Sequence, residues 1–176
     1  MFAQQCNIIY VTTSGATSGA AGTISNPASL IYGLSLANST NNQLWLAAGN
    51  YAVSTTLNMI SDVTLDGGFD PVTWIKSNSL TSVINRDNTN VLPLPSRLVA
   101  ISCVGISNFR LQDITVNVAN AIGNSVTTYG IYINGCSDYS ITRCEVNAGN
   151  GSDGVDGVSG ANGIGGANGA NGQGGD

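Results

Sequence analysis

Histidine is absent from the 176-residue sequence. That removes the commonest general base and the commonest side-chain metal ligand together. Charge is also scarce, with 9% of residues Asp, Glu, Lys or Arg, against roughly 25% in an average globular domain. Five basic residues against ten acidic ones leave a net charge of −5. Nothing here neutralises a run of phosphates or holds the chain on anionic lipid, so no nucleic-acid partner is expected. No apolar run approaches the ~18 residues of a membrane-crossing helix, and no membrane span is expected. The four cysteines, at 6, 103, 136 and 144, form no C-x-x-C pair. No zinc site, other metal site or cofactor is therefore expected.

What the chain has instead is uncharged polarity. Asn, Ser and Thr supply 55 residues, enough to make a soluble surface without charge. The chain is long enough for one main core. Two segments thirty residues apart organise it: I-S-N-F-R-L-Q-D-I-T-V-N at 106–117 and C-S-D-Y-S-I-T-R-C-E-V-N at 136–147. Phe109 matches Tyr139, Leu111 matches Ile141, Ile114 matches Cys144, and Val116 matches Val146. A fainter copy, I-S-D-V-T-L-D, begins at Ile60. Apolar and polar residues alternate within each copy, which is a strand period. Strand-bearing repeats of this length stack as coils on a shared core. The fold class is read as all-β, a parallel β-helix, with regular coils at 98–117 and 129–147.

Taken in order, residues 1–5 look like the remnant of a secretory signal or a tag, the alternative being an ordinary disordered N-terminus. Residues 6–43 are read as an N-terminal cap region. Ile8–Val11 is a strand candidate, and a helix is predicted over 27–38 with Asn26 as N-cap and Pro27 at its first position. Leu30, Ile31, Leu34 and Ala37 would share its buried face, and the helix would act as a lid over the solenoid end. Coils run over 44–148, with Gly67 and Gly68 turning a sharp corner. Residues 71–97 fit the repeat poorly and read as an excursion with one strand at Val83-Ile84.

From 151 a glycine falls at every third position through 175, filling a tract over 149–176 that holds no proline. One face of a three-residue-per-turn helix there carries no side chain. The tract suits a polyglycine-II-like bundle, a collagen-like triple helix or a linker, and it offers a route to a homo-oligomer through 151–176.

The string I-Y-V…N-P-A-S-L…L-W-L-A-A-G-N-Y…V-T-L-D-G-G-F-D…W, within residues 8–147, resembles the cap and first coils of right-handed parallel β-helix proteins, the pectate-lyase-like superfamily. G-G-F-D with the following Trp is similar to large surface proteins of Bacteroidota that are often exported by the type 9 secretion system. The resemblance implies a secreted, outer-cell-surface location and a right-handed coil. Enzymes of the superfamily gather acidic and basic side chains in a lateral groove.

The candidate residues were few. Asp62, Asn108 and Asp138 share one repeat position, where a ladder of local Asx turns is expected rather than a calcium site. Asp113 and Arg143 share another and should form an exposed cross-coil pair, worth about 0–1 kcal/mol. Cys136 and Cys144 align with Ile106 and Ile114, and Cys103 with Ile133, so buried free thiols are expected. Of Trp45, Trp74, Tyr129, Tyr132 and Tyr139, Tyr139 should be internal, while Trp74 is the candidate exposed carbohydrate contact. No catalytic residue is assigned. The leading expectation is a non-enzymatic adhesive or structural N-terminal region of a long secreted surface protein or filament, of the attachment or gliding type. Its partners would be surface polysaccharide or copies of itself. The rival is a polysaccharide lyase, hydrolase or carbohydrate-binding module on the same scaffold.

Overall fold

A computed structural model describes residues 7–169 and residue 172. The strands are β1 (Ile8–Ala16), β2 (Gln43–Ala47), β3 (Gly49–Val53), β4 (Leu57–Asn58), β5 (Thr64–Phe69), β6 (Ser82–Arg86), β7 (Arg97–Val104), β8 (Arg110–Gln112), β9 (Ile114–Val118), β10 (Thr127–Asn134), β11 (Ser140–Thr142) and β12 (Glu145–Asn147). One helix, α1 (Leu30–Leu36), lies between β1 and β2. Strands do not pair with their chain neighbours. They form three parallel sheets ordered β1-β2-β5-β8-β11, β3-β6-β9-β12 and β4-β7-β10. This is a β-solenoid of about four turns. After β1 each turn repeats the same three places, and α1 stands in the first turn where β4, β7 and β10 stand in the others.

Register explains the core. Ile9, Leu44, Leu65, Leu111 and Ile141 stack in one sheet. Tyr51, Ile84, Val116 and Val146 stack in the second. Leu57, Ile101 and Ile131 stack in the third. A shift of one residue would turn each column outward, so the alternating apolar pattern sets the register. At the corner after Asp66, Gly68 takes φ 83°, and a Cβ on Gly67 would run into the Asp113 carbonyl of the next turn. Both glycines are needed there.

Several local expectations change. The sheet begins at Ile8, so β1 is part of the solenoid and not only of a cap region. The helix starts at Leu30, with Ser29 as N-cap accepting the Tyr32 amide. Asn26 cannot serve, because residues 27–29 are tied in extended form to β1: the Ala16 amide donates to the Pro27 carbonyl and the Ser29 amide to the Ala16 carbonyl. Asn26 instead donates to the Ala20 carbonyl at 2.7 Å. Leu30, Gly33 and Leu34 are buried, whereas Ile31 is 52% exposed because so short a helix buries only one narrow stripe.

The strand expected at Val83-Ile84 is present as β6 and is a full rung, paired with β3 and β9. Only the segments on either side of it leave the coil. The second of these, after Arg86, is organised by that residue. The Arg86 side chain is fully buried, its Nε donating to the Val99 carbonyl at 3.2 Å. Nη1 donates to the carbonyl and carboxylate of Asp87, and Nη2 to the carbonyls of Thr89 and Asn90.

The solenoid path continues six residues past β12. The Ala121 amide donates to the Asn150 carbonyl, the Ser152 amide to Val126 and the Ser125 amide to Asp153. Beyond that, the described part of the glycine tract has no helix or strand. No atom approaches the bare face of any described glycine from Gly154 onward. A folded-back bundle would cover those faces, and among the described residues they are open.

Candidate functional site

The side chains with the most chemistry line up along one corner of the solenoid. Asp66 comes from β5, Lys76 from the segment after β5, Asp113 from the tight corner between β8 and β9, and Arg143 from the same corner one turn later. Asp113 and Arg143 share an unusual left-handed backbone, φ 50° and 51°, which aims both side chains along the axis. Arg143 holds Asp113 with two parallel bonds, Nε to Oδ1 at 2.5 Å and Nη2 to Oδ2 at 2.7 Å. The expected pair is therefore present, and it is half of a larger chain of charge. Lys76 Nζ bridges Asp66 and Asp113 and lies 5.5 Å from the Phe69 ring centre.

The two carboxyls are pushed in opposite directions. Burial raises Asp66 above its ordinary value, with Lys76 pulling the other way. Asp113 is lowered to about 2, first by its bonds to Arg143 and then by Lys76 against a desolvation that opposes them. Divergent carboxyl environments are what acid–base pairs use. Here, however, each carboxylate is held by a cation, and two negative charges alternate with two positive ones. A cleft of about 220 Å³ lies beside the cluster, lined by Ser77, Thr81, Asp113, Thr115, Arg143 and Glu145 among others. Among the described residues no three Cys, Asp or Glu side chains gather as a metal site would require.

A pH prediction follows from the Asp113 shift. A carboxyl whose folded value lies below its unfolded value adds stability that is complete above the ordinary range near 4. That stability disappears as pH falls toward about 2. The pair therefore adds nothing to changes between pH 5 and 8. Arg143→Gln should move the Asp113 titration up toward ordinary carboxylate values, read by carboxyl-carbon NMR. An unmoved titration would show that Arg143 is not the principal cause.

The other expected residues fall in three places. Asp62, Asn108 and Asp138 all take positive φ, at 67°, 54° and 52°. Asn108 Nδ2 donates to Asp62 Oδ1 at 2.8 Å, and the Asn108 amide to the Ser137 carbonyl. They form a column of tight turns. Trp74 is 7% exposed, contrary to expectation. The segment after Asp70 folds back onto the outer face of the sheet containing β1, β2 and β5, where Trp74 meets Tyr10 edge-on at 4.7 Å. Trp45 stacks on Phe69 beside them at 4.3 Å. No indole face is left for a sugar at Trp74.

Tyr139 does stack on Phe109, at 5.1 Å and 8°, yet it is exposed because no described turn covers it. For the same reason Cys136 and Cys144 are half-buried free thiols, and of the three described cysteines Cys103 alone is fully enclosed. Burial raises the Cys103 thiol to about 12. Cys6 lies outside the described residues.

Sequence reasoning missed a polar ladder on the outer face of β3, β6, β9 and β12. Asn85 donates to Asn50 at 3.4 Å, Asn117 to Asn85 at 3.0 Å and Asn147 to Asn117 at 3.0 Å. Matching Asn117 with Asn147 exposed only its last step, because the earlier turns carry insertions that hide the period. The chain matches no known protein family, and neither a curated protein nor a solved structure matches it.

Proposed function

We propose that this chain is a non-catalytic structural and adhesive element of a secreted bacterial cell-surface protein or filament, carried on a right-handed parallel β-helix. The observation that supports this reading most is the asparagine ladder. Stacked amides bond to one another along the axis and stiffen a rod without charge, and they perform no chemistry. The charged corner fits the same role, since its cations and carboxylates neutralise one another. The helix α1 would serve as the lid of one end. By resemblance to exported Bacteroidota proteins the compartment would be the outer cell surface, with surface polysaccharide or further copies of the chain as partners.

The cleft beside Arg143 and Glu145 keeps one rival in view, a polysaccharide-active or carbohydrate-binding protein. The test is eliminase activity on polygalacturonate and alginate with calcium present, alongside antibody labelling of intact cells that make the protein. No turnover and full labelling without permeabilisation are expected. Measurable double-bond formation, or labelling only after permeabilisation, would overturn the reading.

A further inference from the structure

Lys76 is held more firmly than a surface ion pair requires. Its backbone forms an antiparallel bridge with Phe69, and the Ser77 amide donates to the Gly68 carbonyl at 2.9 Å. The excursion after Asp70 is thereby closed, and Lys76 returns over the strand the chain has just left. Its Nζ touches Asp66 Oδ1 on one side and Asp113 Oδ2 on the other. The Phe69 ring, 5.5 Å away, supplies an apolar wall. Asp66 is fixed by the pairing of β5 with both β2 and β8. The side chains of Asp66 and Asp113 are 13% and 14% exposed, so little water reaches the contact. The two acids are not equivalent. Arg143 binds both oxygens of Asp113 and keeps it an anion. Among the described residues, Asp66 has Lys76 as its one cation in contact. A proton passed from Lys76 to Asp66 leaves a neutral amine against a neutral carboxyl. Burial of Asp66 favours that exchange, and so does the nearby charge of Asp113.

We propose that Lys76 and Asp66 join spontaneously in an intramolecular amide bond, with Asp113 as the catalytic carboxylate. Nζ attacks Asp66 Cγ, and a new C–N bond forms. Asp113 takes the proton that Nζ sheds and delivers it to the Asp66 oxygen that leaves. The C–O bond breaks and one water departs, so the step needs no oxidant, cofactor or activated ester. Free amines and carboxylic acids do not condense in this way in water. Groups held in contact by a folded chain react at an effective concentration on the order of 10⁵–10⁸ M, and exclusion of water favours the dehydrated product. Asp113 is unsuited as the electrophile, because attack on an anion would gather two negative charges on one centre. The bond closes a covalent ring from Asp66 to Lys76 and staples the excursion to β5. The chain reacts once with itself and turns over no substrate. The step is internal, so it does not rest on the location or partners proposed above.

The test is mass spectrometry of the full chain, folded first and then denatured and digested with trypsin. The peptide that contains Asp66 and Lys76 should be lighter by one water. Trypsin should fail to cut after Lys76, whose amine has become an amide, and fragmentation should place the link at Asp66. Lys76→Arg and Asp66→Ala should each restore the full peptide mass. Asp113→Asn should slow the appearance of the bond after refolding by about 10²-fold or more, as for loss of a positioned proton carrier. Full mass with normal cleavage after Lys76 in the folded chain would overturn the proposal. Loss of water with normal cleavage would overturn it too, since that marks a succinimide at Asp66-Gly67. So would a link from Lys76 to Asp113, or a bond that forms as fast in Asp113→Asn. If Asp113→Asn fails to fold, the mass, the cleavage and the position of the link in the unaltered chain decide alone.

Discussion

Arg86→Ala is expected to lower the unfolding free energy by about 3–5 kcal/mol, from the loss of buried volume and of hydrogen bonds that nothing else can supply. The guanidinium reaches the carbonyls of Val99, Asp87, Thr89 and Asn90, and three of these belong to the excursion that it pins down. Alanine leaves those acceptors short of donors in a space too enclosed to solvate them freely. Asp87 is held at about 2, chiefly by the Thr89 hydroxyl and amide, so it stays in place when Arg86 goes and does not compensate. Arg86→Lys should recover only a minor part, because a single ammonium cannot span a fan of acceptors that a planar fork serves. Chemical denaturation measures both. A loss below about 1 kcal/mol for alanine would show that the excursion holds itself.

Phe109→Ala is the second large effect, again about 3–5 kcal/mol. The ring is fully buried beneath Tyr139, and neither neighbouring turn can collapse into the hole without breaking its ladder. Tyr139→Ala, one repeat later at the same position, should cost only about 1 kcal/mol in dilute protein, since much of that ring already faces water. The contrast measures what a covering turn contributes. Equal losses at the two positions in dilute solution would contradict the uncovered last turn.

The coil was legible where the repeat is undisturbed. Phe109 over Tyr139 and Leu111 over Ile141 show in the bare sequence because thirty residues separate them and the alternation is unbroken. The earlier turns were harder. Asp62 and Asn108 occupy the same corner yet stand 46 residues apart, since the excursions around β6 inflate that turn. Lys76 was unreadable for this reason, its partners Asp66 and Asp113 being set by how a non-repeating segment folds back. Arg86 was unreadable because it answers to backbone carbonyls, which carry no residue signature. Trp74 looked free for want of a visible partner, and Tyr10, which covers it, lies far away in the chain. The N-cap misled because Asn26-Pro27 is a sound local signal that the extended pairing of residues 27–29 with β1 overrides. The burial of Cys136, Cys144 and Tyr139 was read from an infinite stack, whereas the described stack has a last member.

The asparagine ladder also bears on how the rod carries load. Its amide bonds point along the axis, as do the backbone bonds of all three sheets. Tension applied along the axis therefore reaches the turns in series, while within each interface between turns the three sheets share the load in parallel. Under such a pull the interface with the fewest bonds yields first, and the chain in that turn unwinds as slack. The interface beneath the last turn is among the shortest, with three residues of β11 against β8 and three of β12 against β9. The rod would lengthen there while the two turns before it, joined by β5 on β8, β6 on β9 and the full run of β7 and β10, stay whole.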